Sequence, residues 1–188
     1  MGWRRLCSVA LLVAGRQALT DSVVRAARSG DERALGDIVR ALADELMPLA
    51  SALTGGSGEA DALVGDTLSR VYERLHQLER DEALLPWARR ILVRRFLDQR
   101  RWSLRRPQCS IEGIEVSTAL GTSADAVDLR QAVAQLPRQD RALLVLHYWQ
   151  GLSIAECARD LDVPEGTAKS RINRALTRLR ERLGEGER

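Results

Sequence analysis

Aromatic residues make up only 4% of this 188-residue chain, and His76 and His147 are its only histidines. Cysteine is equally sparse: Cys7, Cys109 and Cys157 are far apart and odd in number. With no C-x-x-C or H-x-x-x-H spacing, neither a zinc site nor a disulfide framework is expected. Cys157 falls at an apolar position of a helical pattern and reads as a small buried hydrophobe. Long apolar runs are missing too. The run Leu6 to Ala14 follows two arginines, as in the opening of a signal peptide, but has no clear small-x-small cleavage site. It is also far short of the about 20 residues that a bilayer span takes. Residues 1–19 are therefore expected to be a disordered or loosely helical extension of a cytoplasmic protein. The sequence offers no nucleophile–base pair and no metal-ligand cluster, so no enzyme, cofactor or metal site is expected.

What is abundant points to helix. Leu, Ala and Arg dominate and β-branched runs are few, which makes helix the favoured local choice and predicts an all-α fold. Thr20-Asp21-Ser22 starts a short helix that stops at Ser29-Gly30. A second helix is expected from about Asp31 to Leu53, closed by Gly55-Gly56-Ser57-Gly58. A third runs from about Glu59 to Leu78, with apolar positions 63, 64, 68, 71, 75 and 78 at helical spacing. Pro86 is placed at the start of a fourth, continuing to about Arg101. Residues 107–124 lack a sustained period and read as a flexible linker. Helices resume over 125–184, broken at Leu136-Pro137 and Gly151. The outcome is two small helical domains, 20–106 and 125–184, joined by a tether.

Charge is distributed unevenly along that plan. The formal net charge is only +3. Yet residues 86–106 carry eight arginines against the single acid Asp98, and residues 169–182 carry six basic residues against Glu181. Between them, residues 107–168 hold nine acids and four arginines. Two basic islands flanking an acidic stretch suggest two contact surfaces for one polyanion. Lys169 is the one lysine, a bias that genomic base composition explains as well as phosphate binding does.

The second island sits inside a recognisable motif. Gly151 follows His147-Tyr148-Trp149 where a helix needs a left-handed residue to end. Ser153-Ile154-Ala155-Glu156 is an S-x-x-E capping box starting a short helix to about Leu161. Pro164 then falls in the first turn of a longer helix, completing a helix-turn-helix. That helix carries an apolar stripe of Ala168, Ile172, Ala175, Leu176, Leu179 and Leu183, and a separate stripe of Arg171, Arg174, Arg178 and Arg182. Lys169, Ser170 and Asn173 crowd its N-terminal end, the part that enters the major groove in such motifs. Arg171 and Arg174 suit guanine edges, Asn173 suits adenine, and Ser170 suits either base or phosphate. The later arginines, Arg178 among them, suit phosphates. A solvated surface helix fits poorly, because one acid cannot balance six basic residues. A phosphate-loop reading of Gly166-Thr167-Ala168-Lys169-Ser170 fails, because Ala168 and Val163 stand where that motif needs glycine.

Two strings of residues then carry a family resemblance. Leu136-Pro137-Arg138-Gln139, Gly151-Leu152-Ser153, Glu156, Ala158 and Val163-Pro164-x-Gly166-Thr167-x-Lys169-Ser170-Arg171-x-x-Arg174-Ala175 resemble the fourth conserved region of the extracytoplasmic-function sigma factors. Pro86-Trp87-Ala88-Arg89-Arg90-Ile91, followed by Asp98-Gln99-Arg100-Arg101, resembles the W-x-x-R-I…D-x-x-R-R pattern of their second region. The resemblance covers residues 20–184. It implies a promoter-recognition subunit of bacterial RNA polymerase with promoter DNA, the core enzyme and an anti-sigma factor as partners. It implies −35 contacts from Lys169, Ser170, Arg171 and Arg174, extended on helical position to Asn173 and Arg178. It implies −10 contacts from Trp87, Arg90, Arg94, Arg100 and Arg101, where basic side chains beside an aromatic ring suit single-stranded DNA. Trp87 also reads as a core anchor. Ala60-Asp61-Ala62-Leu63-Val64-Gly65-Asp66-Thr67 resembles the family's A-E-D-L-V-Q-E-T docking surface for the polymerase clamp, which implies contacts from Asp61, Leu63, Val64, Asp66 and Leu68, although Leu63, Val64 and Leu68 read equally well as domain core. It departs at Ala62 and Gly65, the latter costing roughly 1 kcal/mol inside a helix. Arg94 likewise stands where many relatives have asparagine. A stand-alone helix-turn-helix regulator is the alternative; it leaves the Trp87-to-Arg101 pattern unused.

Overall fold

The computed structural model describes residues 19–55, 58–78, 80–98 and 124–184. The expected N-terminal extension up to residue 18, Arg100, Arg101 and the linker through residue 123 lie outside the described residues. Among the described residues the structure is helical throughout. Helix α1 is Asp21–Arg28, α2 Glu32–Thr54, α3 Glu59–Arg74 and α4 Leu84–Asp98. The second group comprises α5 Ala124–Ala134, α6 Arg138–Leu144, α7 Ile154–Leu161 and α8 Glu165–Arg182.

The ends of these helices follow local chemistry. Asp31 caps α2 by accepting from the backbone N–H of Arg33 at 2.9 Å and of Ala34 at 3.2 Å. Gly55 closes α2 in the left-handed region, at φ 85°. A Cβ there would also stand 3.0 Å from Ala134 Cβ, so this glycine lets the two helical groups approach. Pro48 lies inside α2 without ending it. Its ring is on the exposed side, where water can satisfy the carbonyl that loses its intrahelical partner. The third helix is shorter than its apolar spacing predicts. Its last turn tightens into a 3-10 segment over Leu75–Gln77. The fourth begins two residues before Pro86, after a 3-10 turn at Asp81–Ala83; the first-turn N–H groups have no intrahelical acceptor, so proline is tolerated at the third position as well. Arg28 donates to Asp81 at 2.9 Å and ties α1 to that turn.

Both helical groups contribute to one buried cluster. Ile38, Leu42, Leu49 and Leu53 of α2, Leu63 and Val64 of α3, and Leu92 and Phe96 of α4 are continuous with Leu143, Leu146, Cys157 and Leu161. A smaller cluster, Ala132, Leu136, Leu144, Ala175 and Leu179, joins α5, α6 and α8. Cys157 is fully buried, and burial pushes its thiol pKa up to about 11, as the reading of a small apolar side chain expects.

Arginines close the seam between the groups. Arg138 donates to the Phe96 carbonyl at 2.8 Å while its guanidinium lies 5.0 Å from the Phe96 ring centroid. Arg141 donates to Leu53 O at 2.6 Å, to Leu136 O at 3.1 Å and to Ala134 O. It thereby satisfies carbonyls at the C-terminal ends of α2 and α5, which lack intrahelical partners. Desolvation, and secondarily the neighbouring Arg138, lower its pKa. Arg141→Met keeps much of the side-chain volume but orphans those carbonyls. We expect a loss of about 2–4 kcal/mol: each fully buried carbonyl left without a donor costs roughly 1–3 kcal/mol, and these three are only part-buried, so water recovers some of that cost. Urea unfolding of the two proteins checks this, and an unchanged midpoint would show that solvent replaces the guanidinium.

Candidate nucleic-acid interface

The helix-turn-helix is built from local signals. After α6 the backbone widens into a π-helical segment, Val145–Trp149. His147 Nδ1–H donates to Leu152 O at 2.7 Å, and Gly151 at φ 71° turns the chain. The capping box at the start of α7 is complete: Glu156 N–H donates to Ser153 Oγ at 3.2 Å, and Ser153 N–H donates to Glu156 Oε2 at 2.9 Å. The Ser153 hydroxyl also donates to Glu156 Oε2 at 2.7 Å, and this bond first, then the one from the Ser153 N–H, holds the Glu156 carboxyl below its ordinary range. Asp162 makes the turn in the left-handed region at φ 56°, a conformation that Asp tolerates better than most side chains. Pro164 stands at the N-cap of α8 rather than in its first turn, and its carbonyl accepts from Thr167 at 2.9 Å and Ala168 at 3.0 Å.

Helix α8 lays Ala168, Ile172, Ala175 and Leu179 inward as its stripe predicts, whereas Leu183 is exposed. Lys169, Ser170, Asn173, Thr177 and Arg180 are exposed and, at helical spacing, form its open face. The arginine stripe beside it is engaged along its whole length. Arg171 donates to Gln139 Oε1 and Arg182 to Gln135 Oε1. Arg178 donates to Asp140 Oδ2 at 3.1 Å, and Arg174 Nε lies 3.4 Å from the same oxygen. Asp140 itself is 4% exposed. Of the predicted −35 residues, the structure thus groups Lys169, Ser170 and Asn173 on open surface and leans Arg171, Arg174 and Arg178 toward α6. Sequence spacing could not separate these two sets. Their difference depends on Gln139 and Asp140, which lie more than 30 positions away.

The first basic island divides in the same way. Trp87 is half-buried and packs against the core. Arg94 is exposed. Arg89 Nε and Arg90 Nε each lie 3.2 Å from an oxygen of Asp160 on α7, and Asp160 is 3% exposed. The Nε of Arg95 is buried without a hydrogen-bond partner.

On α3, Leu63 and Val64 are each 2% exposed. Of the two readings open for them, clamp contact or domain core, this burial supports the core one. Thr67 is buried as well, its hydroxyl donating to Leu63 O at 2.7 Å. Within the motif itself, Asp61 and Gly65 are exposed and Asp66 half-buried, as is Leu68 beyond it. Tyr72, 61% exposed, continues that surface eleven residues after Asp61. The sequence reading passed it over, although helical spacing from Asp61 was signal enough. Among the described residues no helix is long and apolar enough to cross a membrane, and no group of His, Cys, Asp and Glu is placed to hold a metal.

Comparison with known proteins matches both halves of the chain. Residues 38–106 match Sigma-70 region 2 and residues 126–179 match Sigma-70 region 4. The ECF RNA polymerase sigma factor SigM of Mycobacterium tuberculosis is 33% identical over 172 residues, covering 90% of this chain and 88% of that one. SigW of Bacillus subtilis is 26% identical, covering 85% of this chain and 94% of that one. Among solved structures, the sigma factor RpoE of Bartonella quintana, crystallised with the anti-sigma factor NepR, superposes with a TM-score of 0.60 at 25% identity, covering 78% of this chain and 94% of that one. CnrH, solved with the cytosolic domain of CnrY, shares the fold with a TM-score of 0.63 at 21% identity, covering 90% of this chain and 99% of that one. With two family regions in order and a relative of this identity over nearly its whole length, the chain belongs to the extracytoplasmic-function sigma factors, the promoter-recognition subunits of RNA polymerase.

Proposed function

We propose that this sigma factor divides promoter recognition between its helical groups, α8 reading the −35 duplex and α4 contacting the −10 strand. The observation that carries this reading is the open face of α8. It presents an ammonium and a hydroxyl at adjacent positions and a carboxamide about one turn on, at the helix end that enters a major groove. Lys169, Ser170 and Asn173 meet bases or nearby phosphates, with Arg174 at the margin. Arg180 is placed for backbone phosphate. Arg90, Arg94, Arg100 and Arg101 track the −10 strand, and Trp87 serves mainly to seat α4. The core polymerase docks on the surface of α3 that carries Asp61, Gly65, Asp66, Leu68 and Tyr72. The linker 107–124 and its neighbouring acids pass through the enzyme by mimicking nucleic-acid charge. The protein acts in the cytoplasm and is held in check by an anti-sigma factor, as the relation to RpoE suggests. Catalysis belongs to the polymerase.

In the free chain Asp160 occupies Arg90, so a −10 strand must compete with it. Guanidinium binds carboxylate and phosphate with the same donor fork, which makes the exchange chemically even-handed. Asp160→Asn is expected to raise the affinity of the free chain for a single-stranded −10 oligonucleotide, read by fluorescence anisotropy. No rise would remove Arg90 from the proposed contacts.

The reading as a whole is tested by mixing the purified protein with bacterial core polymerase. Co-elution and transcripts from a defined subset of a promoter library are expected; duplex binding by the protein alone without co-elution would make it a regulator on a sigma scaffold. Within the holoenzyme, Asn173→Ala should relax the preference at one −35 base pair by about 1–3 kcal/mol. Arg180→Ala should instead weaken binding evenly across sequences and reduce the salt slope by about one. Equal sequence dependence for the two variants would contradict this division of α8.

A further inference from the structure

The arginine stripe of α8 meets a row of acceptors: Gln135 just past the end of α5, Gln139 on α6 and, at its centre, Asp140 of α6. A carboxylate this close to a DNA-facing helix repels phosphate and lowers affinity for any sequence. Solubility does not explain it, because Asp140 is almost wholly buried. Once buried, the charge cannot be left unpaired without a large penalty. At least one of Arg174 and Arg178 must therefore stay with Asp140 when α8 meets DNA.

The geometry distinguishes the two. Arg178 makes a directed hydrogen bond through Nη1 at 3.1 Å, and its side chain is 41% exposed. Arg174 is held by proximity alone, Nε to carboxylate at 3.4 Å, with its side chain 53% exposed. A guanidinium engaged on its Nε side keeps its Nη edge, the edge that bonds a guanine or a phosphate bidentately. Arg174 also lies one turn beyond Ser170 and next to Asn173, at the border of the open face. We propose that Asp140 is a positioning residue for −35 readout: it anchors Arg178 within the fold and holds Arg174 at the edge of the reading face with its Nη edge free. Asp140 touches no DNA and acts through the arginines. The inference rests on the reading of α8 as the −35 helix.

Three consequences follow from the charge balance. Replacing Asp140 by Asn removes a repulsive charge and releases Arg178, so binding to DNA with a scrambled −35 element strengthens. The salt dependence steepens by about one, as for one added phosphate contact. Discrimination between the preferred and the scrambled element falls roughly tenfold, the value of one well-placed arginine–base contact. Arg178→Gln acts differently. Asp140 is left with Arg174 alone and draws it off the DNA, so discrimination falls at the same base pair that Arg174→Ala affects, without any gain in non-specific binding.

The test is competition binding by the reconstituted holoenzyme, with wild-type, Asp140→Asn, Arg178→Gln and Arg174→Ala chains, on promoters that differ only in the −35 element. Stronger binding to the scrambled element with a roughly tenfold fall in discrimination in Asp140→Asn, and a shared base-pair position for Arg178→Gln and Arg174→Ala, are the expected results. Parallel loss of both affinities in Asp140→Asn would reduce Asp140 to a folding role. A parallel gain with discrimination intact would make it a charge brake only, and either result overturns the proposal. If Asp140→Asn fails to fold, the Arg178→Gln comparison decides alone. A wild-type holoenzyme with no −35 preference would bring down the reading of α8 itself, an outcome distinct from a wild-type preference that the variants leave unchanged.

Discussion

Two carboxylates in the second helical group, Asp140 and Asp160, are almost completely buried, and each is held by two guanidinium groups. The rest of the structure is arranged around this constraint. A chain whose positive charge is nearly all arginine must place many planar, permanently charged groups, and burying the carboxylates requires that they be paired. Asp140 pairs within its own group and sets the posture of α8. Asp160 pairs across the seam and fixes α4 against α7. Arg138 and Arg141 complete the seam by a third route, bonding main-chain carbonyls around Phe96.

This arrangement changes the meaning of the charge pattern. The acidic stretch between the two basic islands suggests, on sequence alone, a separator between two DNA surfaces. In the folded chain two of its acids turn back on the islands and take up Arg89, Arg90, Arg174 and Arg178. Among the described residues, the basic groups of the two islands that stay exposed without an acidic partner include Lys169 and Arg180 on α8 and Arg94 on α4. Neutralisation from within leaves fewer free cations, and fewer free cations make binding depend more on contacts that distinguish bases.

How much could be read in advance follows from the range of each interaction. Helix ends were legible because their causes are local: Asp31, the Ser153–Glu156 box, and the glycines at 30, 55 and 151 all act within four residues. The inward face of α8 was legible for the same reason. The 3-10 turn at Leu75–Gln77 and the π-helical segment after α6 were not, since apolar spacing constrains the mean period of a helix and not its local winding. Leu63 and Val64 show a different limit. A docking motif and a core stripe occupy the same helix, and only tertiary packing assigns these two residues to the core. The pairing of Asp160 with Arg89 and Arg90 spans about 70 positions and leaves no periodic trace.

The contacts at the seam also differ in how they respond to their surroundings. The Arg90–Asp160 pair has a partly exposed partner and is open to competition from salt or phosphate. Arg141 bonds carbonyl oxygens that have no counterpart in a nucleic acid's charge and whose loss orphans two helix ends. One edge of the seam is thus electrostatic and exchangeable, while the other is anchored by backbone hydrogen bonds and an aromatic ring. Rising ionic strength should act on the α4–α7 edge first and leave the Arg141–Phe96 edge intact. The same chain can in this way keep a packed core while the α4 surface proposed to meet the −10 strand becomes available.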